Sequence, residues 1–346
     1  RPRLVTTNLA DTNFAWVPSA EQLEAANVTR LARRLGCETF AALHHVSVEE
    51  PDRFWRAVRD DLGLPFSRDW DEVLDDSRGK EWTTWFTGGR LNLATACVHR
   101  WAAERPDEDA AVWLAEDGAR TALSWSGLSQ EVTRFAEALT SLGVVPGDAV
   151  ALYLPMSPHA AVVSHACAHV GAIQVPIFSG FAAPAIAARL ADARARVLVT
   201  ADATLRRGST VPLKEIADEA LAEAPSVEHV VVWNRLGLDA PMTPGRDHDW
   251  DELVAGSPGV LPPAEVDSEA AYLLAYTSGT TGRPKGALHV QGGFLLSIAR
   301  EAAYQADLRP GDRVLFATDM GWIMGPWTVV GAGALGAAVV YLEGAP

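Results

Sequence analysis

The chain has 346 residues, 48% of them hydrophobic and 21% charged, and a formal net charge of −15. This composition is typical of a packed globular protein and excludes a disordered chain. The negative charge repels polyanions, so we expect no nucleic-acid partner, and a polyphosphate ligand would have to be held by local amides and a few basic side chains.

The first 90 residues are rich in Trp, Asp and Arg, with a helical region over residues 50–62 and little strand signal. We expect them to form a leader packed on the main body. No apolar segment of the kind that a secretory signal needs stands near the amino terminus, which predicts a cytoplasmic location. The three cysteines lack CxxC spacing and indicate neither a disulfide framework nor a metal site.

From residue 121, helical patterns alternate with short β-branched runs, which indicates an α/β fold with mostly parallel sheets. The clearest helix begins near Ser126 and ends at Gly143, and its apolar face carries Leu128, Val132, Phe135, Leu139 and Leu142. Residues 234–248 are typical of a surface loop. Apolar runs predict strands over residues 149–154, 173–177, 197–200, 230–233 and 271–275.

A weak internal repeat relates residues 144–155, VVPGDAVALYLP, to residues 308–319, LRPGDRVLFATD. Each copy is followed by a helical run, a glycine and a β-branched strand. The repeat predicts two related α/β subdomains.

Residues 320–342 carry no charge and are long enough to cross a bilayer. Five glycines and Pro326 interrupt the segment, no basic residues flank it, and its end reads as a separate strand. We therefore predict a buried helix followed by a core strand, and no membrane partner.

Residues 276–286, YTSGTTGRPKG, directly follow a predicted buried strand. Glycines allow close backbone approach to an anion, hydroxyls add neutral donors and a lysine adds a cation. The order of these residues differs from that of a Walker A motif. The alternative is a flexible Ser/Thr/Gly hairpin without a ligand. The candidate ATP-phosphate-binding residues are Thr277, Ser278, Gly279, Thr280, Thr281, Gly282 and Lys285.

This loop is similar to the phosphate-binding signature of the AMP-forming acyl-CoA synthetases, members of the adenylate-forming superfamily. Residues 85–92, 175–181, 200–215 and 318–327 resemble segments of the acetyl-CoA synthetase branch, in the same order. The resemblance implies that a carboxylate attacks the α-phosphorus of ATP, supplied with Mg²⁺, giving acyl-adenylate and pyrophosphate. Coenzyme A then displaces AMP. The implied partners are a small carboxylate, ATP and coenzyme A.

The resemblance also implies a domain organisation, in which residues 1–90 are the leader and residues 91–346 are part of the large amino-terminal domain of these enzymes. Within it, residues 121–265 would form the first α/β subdomain and residues 266–346 the start of the second. The rest of the large domain and the small carboxy-terminal domain, with its catalytic lysine, are expected beyond Pro346. No catalytic residue or metal ligand is therefore assigned.

Four residues match or neighbour the positions that contact coenzyme A in the family: Phe178, Gly180, Arg206 and Arg207. Arg206 suits the 3′-phosphate of coenzyme A, because a guanidinium forms paired hydrogen bonds to phosphate. A second family arginine is replaced here by Ser209, and Arg207 is an extra cation that could substitute for it. The alternative is that both are ordinary surface arginines.

The candidate acyl pocket consists of Trp322, Ile323, Met324 and Gly325. Trp322 matches the tryptophan beside the acyl group in the family. At the positions of Ile323 and Met324, the resemblance implies Val and Thr in acetate-specific enzymes. Pro326 and Trp327 replace a histidine and a small residue of the family. These differences do not identify the carboxylic acid that is the substrate. The alternative is that residues 322–327 only begin a core helix.

The leading interpretation is part of an acyl-CoA synthetase, expected to be inactive as this fragment alone. Two rival functions are also open. One is an adenylating enzyme that delivers the acyl group to a carrier-protein thiol, against which residues 85–92 and the coenzyme-A-like segment argue. The other is a non-catalytic fragment that binds a ligand or partner. The oligomeric state is not indicated by the sequence.

Overall fold

The computed structural model describes residues 16–277 and 284–344. Its helices are α1 (Ala20–Ala25), α2 (Asn27–Arg34), α3 (Phe40–Glu49), α4 (Pro51–Leu62), α5 (Arg100–Glu104), α6 (Trp125–Ser141), α7 (Pro158–Val170), α8 (Ala183–Ala193), α9 (Leu213–Leu221), α10 (Trp250–Ala255), α11 (Gln291–Tyr304) and α12 (Met324–Leu335). A short 3₁₀ helix (Lys80–Trp82) and a π-helical turn (Thr95–His99) complete the helical segments of these residues.

The strands in the same residues are β1 (Glu72–Asp75), β2 (Thr84–Thr87), β3 (Arg90–Leu91), β4 (Asp109–Leu114), β5 (Arg120–Ser124), β6 (Ala149–Tyr153), β7 (Ile173–Pro176), β8 (Val197–Ala201), β9 (Thr204–Arg206), β10 (Ser209–Val211), β11 (His229–Trp233), β12 (Asp247–Asp249), β13 (Val266–Asp267), β14 (Ala271–Thr277), β15 (Lys285–Val290), β16 (Arg313–Leu315) and β17 (Ala338–Leu342). The five strands predicted from apolar runs are confirmed, with ends that differ by one or two residues.

Two sheets organise the main body. The larger sheet has the order β12-β11-β8-β6-β7-β14-β15, with every neighbouring pair parallel except β14 and β15. The smaller sheet has the order β16-β17-β4-β5, and only β4 and β5 are antiparallel. The prediction of an α/β fold with mostly parallel sheets is confirmed.

Sheet pairing crosses the predicted subdomain boundary at residue 266. Strands β14 and β15 follow that boundary in sequence but complete the larger sheet, whereas β4 and β5 precede residue 125 but join β16 and β17. The predicted boundary therefore does not separate the two sheets, because strand pairing is decided by long-range packing that a linear pattern does not contain. The domain division itself stays a prediction.

Helix α7 lies between the sheets, in contact with β4 on one side and β6 and β7 on the other. Every residue from Ala160 to Val170 is buried, which suits its small side chains, and Gly171 ends the helix in a left-handed conformation with φ +83°. The predicted helix near Ser126 is confirmed as α6, capped by the Ser124 hydroxyl, and its five predicted apolar residues are buried.

The leader contains the predicted helix as α4, but also a strand pair that the sequence did not indicate. Strands β1 and β2 have four residues each, too few for a clear alternation of apolar and polar side chains. Phe86 of β2 is buried with its ring centroid 5.0 Å from that of Trp70 and 5.7 Å from that of Trp55. Aromatic packing stabilises this pair, so tertiary contact outweighs a weak local signal.

The internal repeat is confirmed in backbone detail. In the first copy, Gly147 N–H donates to the Gly171 carbonyl at 2.9 Å; in the second, Gly311 N–H donates to the Gly336 carbonyl at the same distance. The aspartate after each glycine accepts a hydrogen bond from a backbone N–H three residues earlier. Each copy is therefore a β-α-β unit whose two parallel strands are joined by a buried helix.

The long apolar segment forms α12 and β17, as predicted. No helix within the described residues has both the length and the apolar character needed to cross a membrane. Cys37, Cys97 and Cys167 are free and buried.

Residues 234–246 form the expected excursion without a helix or strand, but Asp247 and His248 belong to edge strand β12. This polar strand is held by parallel pairing with β11 rather than by apolar burial of its own side chains.

Candidate active site

The carboxyl ends of β6, β7, β8 and β14 meet at one edge of the larger sheet, because these strands are parallel. Ligand sites of parallel α/β sheets lie at this edge. Strand β7 leads there into Phe178, Ser179 and Gly180, and β14 ends there at Thr277. The candidate coenzyme-A and phosphate segments therefore leave the sheet from neighbouring strands.

Thr277 and Lys285 are register partners at the open end of the β14–β15 pair. The Thr277 hydroxyl donates to the Lys285 carbonyl at 3.4 Å, and both residues are exposed. Ser278, Gly279, Thr280, Thr281 and Gly282 lie outside the described residues. A hydroxyl and an ammonium group at this edge suit a phosphate ligand.

Phe178, Gly180 and Arg206 lie together. The Arg206 guanidinium carbon is 5.2 Å from the centroid of the Phe178 ring, a cation–π distance. A Cβ on Gly180 would lie 2.3 Å from Arg206 Nη1, so a side chain here would displace the guanidinium from this position. The geometry explains why an aromatic residue, a glycine and an arginine occur together here.

Arg207 lies in the turn between β9 and β10, exposed and with φ +53°. Gly208, the next residue, donates its N–H to the Glu116 carboxylate and so ties the tip of this hairpin to the β4–β5 turn. The hairpin that carries both candidate arginines is thereby attached to the smaller sheet.

Asp319 is a further candidate site residue, and the sequence pattern did not single it out. It is buried and accepts hydrogen bonds from the Ser179 hydroxyl at 2.6 Å and from Gly321 N–H at 2.9 Å. Burial raises the pKa of Asp319, while these hydrogen bonds and the charge of Arg206 oppose that rise. An aspartate followed by glycine and tryptophan within the resembling segment was the signal available in the sequence.

The candidate acyl residues lie against the candidate coenzyme-A residues. The Trp322 and Phe178 ring centroids are 5.8 Å apart in an edge-to-face arrangement, and Trp322 is 56% exposed. A Cβ on Gly321 would lie 2.2 Å from the Phe178 backbone nitrogen, so these two segments touch through their backbones. The structure thus brings Trp322 to the same cluster as Arg206.

The remaining acyl candidates differ in exposure. Ile323 is exposed, Met324 is the first residue of α12, and Gly325 is buried. A Cβ on Gly325 would lie 2.5 Å from the Asp319 carbonyl oxygen, so this position needs glycine. Trp327 turns away from the cluster, since its indole N–H donates to Glu301 of α11 at 3.0 Å.

Arg189, which the sequence did not indicate, lies near Tyr276, the first residue of the motif that contains the candidate phosphate loop. The Arg189 guanidinium carbon lies 4.3 Å from the Phe181 ring centroid and 5.6 Å from that of Tyr276. The Tyr276 hydroxyl donates to Asp192 at 2.6 Å. A lone arginine on the Ala-rich helix α8 carries no motif that would have identified it.

The described residues contain no group of three or more His, Cys, Asp or Glu side chains arranged to hold a metal ion. Thr277 and Lys285 fit the phosphate part of a nucleotide by their position and chemistry.

Comparison with known proteins supports the resemblance found in the sequence. The family model described as AMP-binding enzyme matches residues 98–346, and the model for the acetyl-coenzyme A synthetase N-terminus matches residues 40–97. The acetyl-coenzyme A synthetase of Syntrophus aciditrophicus (strain SB) is 39% identical over 314 residues, which cover 89% of this chain and 48% of the relative. That of Penicillium chrysogenum is 37% identical over 311 residues, 89% of this chain and 46% of the relative.

A solved structure of an acetoacetyl-CoA synthetase from Streptomyces lividans superposes with a TM-score of 0.90 at 33% sequence identity, covering 96% of this chain and 51% of that one. The chain spans about half the length of the curated relatives it matches. Since the first family model matches well over half of the residues, this chain belongs to the family of AMP-binding enzymes.

Proposed function

We propose that this chain is part of a ligase that activates a small carboxylic acid with ATP, releases pyrophosphate, and transfers the acyl group to coenzyme A. The observation that carries the proposal is the meeting of three candidate groups at one sheet edge: the ends of the phosphate loop, the Arg206–Phe178 pair and Trp322. Family membership and the acetyl- and acetoacetyl-CoA synthetase relatives support the same reaction.

In this proposal ATP is bound with Mg²⁺, and the loop residues 277–282 and Lys285 hold its phosphates. Backbone amides and hydroxyls in such a loop supply neutral donors, and the lysine supplies charge. Their task is to position two anionic groups, the carboxylate and the α-phosphate, and to screen one from the other.

Coenzyme A would be held by Arg206 and Phe178, with Arg207 as a second cation on the same hairpin. Gly180 supports this role, because its missing side chain leaves the space that the guanidinium occupies. The positive charge of the two arginines also supports this role. The chain has a net charge of −15, so a phosphate would have to be held by local cations.

The acid would lie beside Trp322, Ile323, Met324 and Gly325. The names of the relatives favour a short aliphatic acid, and a methylene more or less in such a pocket changes discrimination by about 1–3 kcal/mol. Isoleucine and methionine at these positions change the volume available to the acid, so its identity has to be measured.

The chain alone is proposed to be inactive, because it spans about half of its relatives. The cytoplasmic location, the absence of a nucleic-acid partner and the division into subdomains at residue 266 stay predictions.

The test is carboxylate-dependent exchange of pyrophosphate into ATP by the full gene product, with acetate, propionate, butyrate, acetoacetate and an aromatic acid compared in parallel. Exchange with one acid, followed by acyl-CoA formation when coenzyme A is added, supports the proposal. Exchange without acyl-CoA formation favours delivery to a carrier-protein thiol. No exchange by the folded protein would favour a non-catalytic role.

A further inference from the structure

Ser179 lies between two charged side chains of the site. Its hydroxyl oxygen accepts a hydrogen bond from Arg206 Nη2 at 3.1 Å and donates its single hydrogen to Asp319 Oδ2 at 2.6 Å. The guanidinium only donates, so the serine oxygen accepts from Arg206 and the serine hydrogen is left for Asp319. Ser179 therefore links the Arg206 guanidinium to the Asp319 carboxyl group.

Asp319 is a rigid anchor for this chain. Its other oxygen accepts the Gly321 N–H at 2.9 Å, and the residue is buried. A buried carboxyl group depends on its hydrogen-bond partners, because an unpaired polar group is costly to bury. Ser179, which is itself buried, is consequently held in one orientation.

Arg206 has its position defined on two sides. Ser179 accepts a hydrogen bond from one of its N–H groups, and the guanidinium carbon lies 5.2 Å from the centroid of the Phe178 ring. A guanidinium has five N–H donors, and Arg206 is only half-buried, so donors remain for an anion. Fixing a long cationic side chain before the ligand arrives lowers the entropy lost on binding.

We propose that Ser179 and Asp319 are positioning residues that hold Arg206 ready for the 3′-phosphate of coenzyme A. The inference rests on the proposed function for the identity of the ligand. Ser179 and Asp319 act through Arg206, and they serve the binding of the thiol substrate rather than the adenylation step. Asp319 also accepts a hydrogen bond from the N–H of Gly321, one residue before Trp322. It therefore connects the candidate acyl segment to Ser179 and Arg206.

The test measures the dissociation constants of coenzyme A and of dephospho-coenzyme A, which lacks the 3′-phosphate, by titration calorimetry on the full gene product. We expect Ser179→Ala to weaken coenzyme A by about tenfold, the effect of losing one hydrogen bond of about 1.5 kcal/mol to a charged group. Binding of dephospho-coenzyme A should change by less than about twofold. Asp319→Asn should likewise weaken the binding of coenzyme A more than that of dephospho-coenzyme A.

The comparison variants separate positioning from folding. Ser179→Thr keeps the hydroxyl and should restore the preference for coenzyme A. Ser157→Ala removes another buried serine hydroxyl, one that has no hydrogen-bond partner in the described structure, and should leave both constants unchanged. In an Arg206→Ala background, Ser179→Ala should have no further effect, because the residue through which it acts is gone.

Four results would overturn the inference: a wild type without preference for coenzyme A, an unchanged preference in Ser179→Ala, equal weakening of both ligands, or additive effects of Ser179→Ala and Arg206→Ala. Pyrophosphate exchange, measured separately, reports on the proposed function. Wild-type binding with a 3′-phosphate preference but no exchange would reject adenylation while leaving the positioning role supported.

Discussion

At the scale of single residues, the site is built from side chains whose neighbours leave little freedom. Gly180 makes room for Arg206, and Gly325 makes room for the Asp319 backbone. Arg206, Phe178 and Trp322 could be named from the sequence because they sit in segments that resemble a family. Ser179 lies inside one of those segments, yet its hydrogen bond to Asp319 joins residues 140 positions apart, which no local pattern contains.

Lys285→Ala should lower the rate of pyrophosphate exchange by about 10²-fold in the full gene product, as loss of a preorganised charge stabiliser does. The ammonium group is exposed at the start of β15, so the fold should persist. Lys80→Ala, at an exposed lysine in the leader, is the matched control and should exchange at the wild-type rate. Unchanged exchange in Lys285→Ala would contradict its assignment to the phosphates.

At the scale of elements, a chain of neutral side chains joins the π-helical turn to α6 and α7. His169 Nε2 donates to the Leu261 carbonyl at 2.9 Å. In the neutral ring its Nδ1 then accepts from His99 Nε2 at 3.0 Å, and the Ser129 hydroxyl donates to His99 Nδ1. Both rings must be neutral for this pattern. Burial and the neighbouring His169 lower the pKa of His99 to about 4.

This pair predicts a pH dependence of stability. The unfolded chain protonates His99 near its ordinary pKa of 6.5, whereas the folded chain does so only near 4, so the unfolded state binds more protons between these values. The contribution of neutral His99 to the free energy of unfolding is complete above pH 6.5. It is lost as the pH falls toward 4, at up to about 1.4 kcal/mol per pH unit. Carboxylates add their own acid dependence, so the variant His99→Gln supplies the reference.

Denaturant unfolding of wild type and His99→Gln at several pH values checks this. The slope of the free energy of unfolding against pH should be smaller in His99→Gln between pH 6.5 and 4.5. Equal slopes would mean that His99 titrates normally in the folded protein.

At the scale of the whole molecule, Arg235 joins segments distant in sequence. Its guanidinium makes two hydrogen bonds to the buried Glu343, at 2.8 and 3.1 Å, and one to Asp117 at 2.8 Å, and it lies 4.7 Å from the Trp113 ring centroid. Glu343 directly follows β17 of the smaller sheet, and Arg235 follows β11 of the larger one. The pair therefore connects the two sheets.

Arg235→Ala should destabilise the protein by about 3–5 kcal/mol, because it leaves the Glu343 carboxylate buried without its partner. The control is Arg313→Ala, which breaks an exposed ion pair with Asp109 and should cost at most about 1 kcal/mol. Thermal unfolding of both variants measures the difference. Similar small losses in both would contradict the role of Arg235 in joining the sheets.

The α/β class, five of the seven strands of the larger sheet, the repeated β-α-β unit and the family could be predicted from the sequence, since these depend on local hydrophobic period, turn residues and contiguous motifs. Three features are visible in the folded structure alone: the strand pairing across residue 266, the packing of the leader hairpin, and the chain of hydrogen bonds through Asp319, Ser179 and Arg206. The physical reason is the same in each case: these contacts join residues far apart along the chain, and their free energy comes from burial and geometry that no single segment carries.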